Sequence, residues 1–141
     1  MASYQLELQT PPRDESSCEL WLQHAAGRII FEDIRGYALE RIDRNLSSEA
    51  QEAARKATDD AVYGLMMIID GVSGTLRNDK HEVEISVAVS LLDRTSGKLA
   101  SQIDLREGNG MCIGYHGWLE GAYGDNPVAV EGVHPARARD A

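Results

Sequence analysis

The chain has 141 residues, a size at which a single domain buries its own core without disulfide or metal staples. Lys plus Arg number 14 against 23 Asp plus Glu, a formal net charge of −9. Phosphate backbones and anionic membrane faces repel such a surface, so nucleic acid and membrane are disfavoured as partners; solubility or a basic protein partner remains. The two cysteines, Cys18 and Cys112, are too few for a disulfide scaffold or a four-cysteine zinc site. The first residues, MASYQLELQTPP, lack the basic and apolar regions of an export signal, and the apolar run at 61–69 is too short to span a bilayer. The expectation is a cytoplasmic, single-domain protein.

Tyr4, Leu6 and Leu8 alternate with polar residues, which predicts a short first strand before the proline-broken loop at 11–17. Cys18, Leu20 and Leu22 alternate again; a strand fits, and a helical start competes with it. Phe31, Ile34, Ala38 and Ile42 then recur at helical spacing and predict a helix over 32–44, weakened by Gly36.

The strongest pattern follows. Ser48 with Gln51 resembles a capping box, and Ala50, Ala53, Ala54, Ala57, Ala61, Leu65 and Ile68 mark one face of a helix over 49–70, roughly 33 Å long. Gly71 stands where a left-handed cap belongs. The second half of this helix is apolar all round, so residues 62–69 are expected in the core or in a homodimer interface.

Val83, Ile85, Val87, Val89 and Leu91 alternate with Glu82, Glu84, Ser86, Ala88 and Ser90, the pattern of a half-buried antiparallel strand. Leu99, Ser101, Ile103 and Leu105 repeat it after a turn, and Asn109-Gly110 reads as a hairpin turn into a third strand over 111–116. A helix over the five glycines at 110, 114, 117, 121 and 124 would lose roughly 4–5 kcal/mol relative to alanine, which disfavours that alternative. The predicted fold is therefore α+β: an antiparallel sheet with a β-meander at 81–116 packed on two helices, one of them long. The domain is expected to occupy 1–126, with 127–141 as a flexible tail.

Chemistry-bearing motifs are sparse. On a strand, Cys112 and His116 stand about 13 Å apart, too far for a thiolate–imidazole pair. Glu49, Glu52, Asp59 and Asp60, answered by Glu32, Asp33, Glu40 and Asp43 on the preceding helix, would be needed for a magnesium site; a solvated acidic face is the simpler reading. The histidines lack HxH and HExxH spacing, and neither GxGxxG nor GxxxxGK occurs, so no metal, cofactor or phosphate site is assigned. Trp118 and Tyr123 on a glycine-hinged loop, with Tyr115, His116, Glu120 and Asp125 beside them, form the candidate partner-binding surface. The competing reading makes Trp118 a plug over the open sheet face.

The runs MMIIDGVSG at 66–74 and GYHGWLEGAYGD at 114–125 resemble segments of small uncharacterised bacterial proteins, some of immunity type. That resemblance implies a protein that neutralises a toxin partner, and it carries no functional residue. Three expectations result: a non-enzymatic acidic binding module, of which the immunity-type protein is one form; a structural homo-oligomer; or a small enzyme using Cys112 and His116, or helix carboxylates with a divalent metal.

Overall fold

The structure, a computed structural model, describes residues 2–129. The fold is α+β, and helix dominates it. Helix α1 spans Glu15–Ile30, runs without a break through a π-helical segment, Phe31–Gly36, and ends in α2, Tyr37–Glu40. Helix α3 spans Ser48–Ile69, and α4 spans Met111–Leu119. Two antiparallel hairpins lie between α3 and α4: β1 (Thr75–Arg77) with β2 (Glu82–Glu84), and β3 (Ala88–Leu92) with β4 (Leu99–Asp104).

Of the strand and helix alternatives around Cys18–Leu22 the structure has the helix, which starts well before the predicted helix at 32. Asp14 caps it, its carboxylate accepting from the Ser17 amide at 2.8 Å. Cys18, Trp21, Leu22 and Ala26 fall at spacings of three and four and are buried together, so the apparent alternation is one side of a helical stripe. The wider π turns continue the helix past Phe31 to Ala38, both half-buried, with Ile34 exposed between them.

Helix α3 matches its predicted span to within one residue. Its cap is Ser47, which accepts from the Ala50 amide at 3.2 Å, while Gln51 reaches back to the Arg44 and Leu46 carbonyls instead of closing a box. At the other end Gly71, at φ 77°, ends the helix as expected: its amide donates to Ile68 and the Val72 amide donates to Met67, a Schellman pair. Val62, Met66 and Ile69 are buried within the single chain, while Tyr63, Leu65, Met67 and Ile68 at the same end of α3 are half-buried.

The predicted strand over 81–92 divides. Its second half forms β3, whose Val89 and Leu91, with Val87 just before it, pack against the core. Its first half belongs to the smaller hairpin, where Val83 and its cross-strand partner Leu76 are 64% and 76% exposed. Glu84 turns back towards the body, 2.6 Å from Arg106. The third strand of the predicted meander is the helix α4. The first predicted strand is a 3₁₀ turn, Ser3–Gln5, followed by a lone bridge from Leu8 to Val128. Pro127 is fully buried and its carbonyl accepts from the Gln9 amide, so the folded region passes the expected boundary at 126. The remainder of the expected tail, 130–141, lies outside the described residues. Among the described residues, no helix is long and apolar enough to cross a membrane.

Candidate functional site

The glycine-rich stretch from 110 to 125 is built around α4. Gly110 is its N-cap at φ 96°, a conformation that L side chains rarely adopt, and it has no side chain to satisfy the first amides. Asp70, the cap residue ending α3, supplies that function from outside: its two carboxylate oxygens accept from Met111 at 2.6 Å and Cys112 at 2.9 Å. Gln23 of α1 clamps the loop before it. Its side-chain oxygen accepts from the Asn109 amide at 2.7 Å, and its nitrogen donates to the Gly110 carbonyl at 3.1 Å. Gln23 is buried, and these bonds offset the cost of burying its amide. Asn109-Gly110 is thus a helix start, not a hairpin turn.

The other end of α4 is a second Schellman pair. Gly121, at φ 81°, donates to Trp118 at 3.0 Å, and Ala122 donates to Gly117 at 2.8 Å. Between the caps, the Trp118 indole is sandwiched where only glycine leaves room. A Cβ on Gly27 of α1 would lie 2.3 Å from the ring, and one on Gly114 would lie 2.6 Å from it. The Trp118 ring stacks on Tyr123 at 6.2 Å between centroids, and the Arg28 guanidinium lies over the Tyr123 ring at 5.0 Å. The indole N–H donates to His24 Nδ1 at 3.0 Å.

The expected contact surface is therefore corrected. Tyr115, Trp118 and Tyr123 are 3%, 1% and 3% exposed, because α4 turns the first two into the core and Tyr123, beyond the helix, stacks on Trp118. His116, Glu120 and Asp125 are exposed, and no aromatic platform joins them. Tyr115 is held by a network: its hydroxyl donates to Asp59 at 3.2 Å, and Arg35 of the π segment binds the same Asp59 oxygen at 2.6 Å. Burial first, then the Asp59 charge, pushes the Tyr115 phenol up to about 12.

A helix also changes the geometry of Cys112 and His116. They now stand one turn apart on one face, about 5–6 Å between Cβ atoms, with the Tyr63 ring 5.6 Å from the His116 ring. The surroundings suit a thiol and not a thiolate: desolvation and then the Asp70 carboxylate push Cys112 up from its ordinary value. Asp70 is itself engaged at the α4 amides. The helix carboxylates are similarly engaged. Asp59 binds Arg35, Asp60 binds Lys56 at 2.6 Å, Glu52 contacts Arg55 at 3.5 Å, and Asp33 accepts from Ser3. Among the described residues, no three His, Cys, Asp or Glu side chains converge as metal ligands.

What stays open is a groove of about 370 Å³ between the end of the first helix and α3, lined by Ile34, Ala38, Ala57, Thr58, Ala61, Val62 and Leu65. Its floor is apolar, and alanines keep it shallow enough for another backbone to approach. The alanine stripe of α3 is visible in the sequence; the facing residues Ile34 and Ala38 are visible there only as part of a separate helical pattern. Compared with known proteins, the chain matches no family model, no curated protein and no solved structure at a significant level.

Proposed function

We propose that this chain is a non-catalytic, acidic protein-binding module that receives a basic amphipathic segment of a partner in the groove between Ile34–Ala38 and Ala57–Leu65. The observation that carries this reading is the groove itself. It is an apolar surface that the chain's own elements leave unfilled, beside α3 residues Val62, Met66 and Ile69 that are buried in the core. Ala57 and Ala61 are exposed in it. The net charge of −9 favours a basic occupant over a second acidic copy. The raised Cys112 thiol and the engaged carboxylates weigh against the enzymatic alternative. If the partner is a toxin enzyme, such docking would neutralise it, the immunity-type role suggested by the runs at 66–74 and 114–125.

A photo-cross-linking residue placed at Ala61, with a control at Ser90 on β3, tests the reading in cells that make the chain. The expected result is an adduct with a basic protein from position 61 and none from position 90, lost on Ala57→Arg. An adduct of the chain with itself would replace the reading with the homo-oligomer. Absence of any adduct from position 61 would overturn it.

A further inference from the structure

Trp118 is the most enclosed aromatic residue of the core, and its indole N–H has His24 Nδ1 as its acceptor, 3.0 Å away. Nδ1 accepts only while it carries no proton. The ring's other nitrogen, Nε2, faces Gly124, where a Cβ would stand 3.0 Å from it. His24 is therefore wedged between the buried indole and the segment 121–129 that crosses it. That segment forms a strap. It leaves α4 at Gly121, lays Tyr123 on Trp118, passes His24 at Gly124 and buries Pro127. It then pairs with the N-terminal segment, where Gln9 donates to Pro127 and Ala129 donates to Glu7.

The geometry points to a conformational device: the strap over 121–129 is latched by neutral His24 and released when His24 takes up a proton. A proton on Nδ1 sets two N–H groups against each other and leaves the indole N–H without its acceptor in the core. The least costly relief is local, because the strap is short, has two positive-φ glycines and carries few of the core contacts. Release would open the apolar hollow between Tyr4, Leu6 and Leu8 and the Ala25–Ile29 side of α1, which Pro127 and Val128 now help to line.

The charges facing His24 set where the latch works. Asp125 on the strap favours the proton. Arg28 lies one turn along α1 over the Tyr123 ring, and Tyr123 on the strap is uncharged near neutrality, its phenol raised by burial. Gln23, its neighbour on α1, carries no charge. Desolvation outweighs Asp125, so His24 stays below the ordinary histidine value of 6.5. Release is accordingly an event of pH below 6.5.

The test is a pH series from about 8 to about 5, across which histidines titrate, read by the Trp118 indole NMR peak and by amide hydrogen exchange. The expected result is that the indole peak moves with a midpoint below 6.5, and that the opening constant over 121–129, taken as exchange relative to the intrinsic amide rate at each pH, rises by up to about tenfold per unit fall in pH while that of α3 stays constant. His24→Gln, which keeps an acceptor oxygen and cannot titrate, should abolish the response. Asp125→Asn, at an exposed position, should move the midpoint lower. Exchange rising together in the strap and α3, or a response that persists in H24Q, would overturn the latch. So would a D125N midpoint that does not fall.

Discussion

Asp70 ends one helix and begins another: its carboxylate accepts the amide hydrogen of Met111, the first residue of α4, at 2.6 Å, while its own backbone closes α3. Two amides that would otherwise be unsatisfied at a part-buried helix start depend on this one side chain. Asp70→Ala should therefore destabilise the fold by about 1–2 kcal/mol, the usual scale for losing an N-cap. Asp70→Asn, which keeps an acceptor oxygen, should cost less. Urea denaturation of the three proteins checks the order, and equal stability of D70A and the parent would refute it.

The glycines around α4 divide by cause, and this yields a contrast. At Gly27 and Gly114 an added Cβ would meet the Trp118 ring at 2.3 and 2.6 Å, and the ring is locked by Tyr123 and His24. Gly27→Ala and Gly114→Ala should each cost about 1–3 kcal/mol through overpacking. A Cβ on Gly64 in α3 would have nothing within 4 Å, so Gly64→Ala should stabilise by up to about 1 kcal/mol through helix propensity. Thermal melts showing all three substitutions with the same sign would contradict this division.

The same glycines explain what the sequence conceals. The penalty for a five-glycine helix is too large a charge against α4, because only Gly114 and Gly117 lie inside it, at a cost of about 2 kcal/mol. Gly110 and Gly121 are its caps, and Gly124 lies beyond it. Met111, Ile113 and Tyr115 satisfy a period of two, yet Met111, Tyr115 and Trp118 also stand at i, i+4 and i+7, and the buried set follows the second pattern. Nothing local chooses between them. The choice is made by Asp70, 41 positions away along the chain, and by Gln23, 87 positions from Gly110. Helix α3 is legible because 22 residues repeat one period between two good caps. The α+β class is legible because β3 and β4 alternate cleanly, whereas the candidate contact residues Trp118 and Tyr123 do not read as core, since glycines on two different helices make their pocket.

Cys112 offers a chemical check on the enzymatic alternative. Desolvation and the Asp70 carboxylate hold its thiol protonated, so its thiolate fraction near neutrality is smaller than that of free cysteine. Alkylation by iodoacetamide near pH 7.5 should run several-fold slower than for glutathione, and Asp70→Asn should accelerate it. Mass spectrometry of the modified peptide separates Cys112 from the buried Cys18. A Cys112 that reacts faster than glutathione would restore the thiol as a candidate nucleophile.

Two ion pairs of equal length on α3 provide the last comparison. Arg35–Asp59 and Lys56–Asp60 both measure 2.6 Å. The first has side chains 20% and 33% exposed and shares its Asp59 oxygen with Tyr115; the second has side chains 75% and 67% exposed. Water screens the second and leaves its partners satisfied when one is removed. Asp59→Ala instead strands the Tyr115 hydroxyl in the core and leaves Arg35 half-buried without its carboxylate, which should cost about 1–3 kcal/mol. Asp60→Ala should leave stability unchanged within error. Alkaline pH attacks the first site from another direction. A phenol raised to about 12 in the fold favours folding fully below its unfolded value near 10, and that contribution fades as pH rises from 10 to 12. Tyr115→Phe removes one of the groups raised there, so it should make the stability profile less steep in that window, the remaining slope including Tyr123, whose phenol burial also raises. A parent profile already flat there would show that Tyr115 is not held as the Asp59 geometry requires.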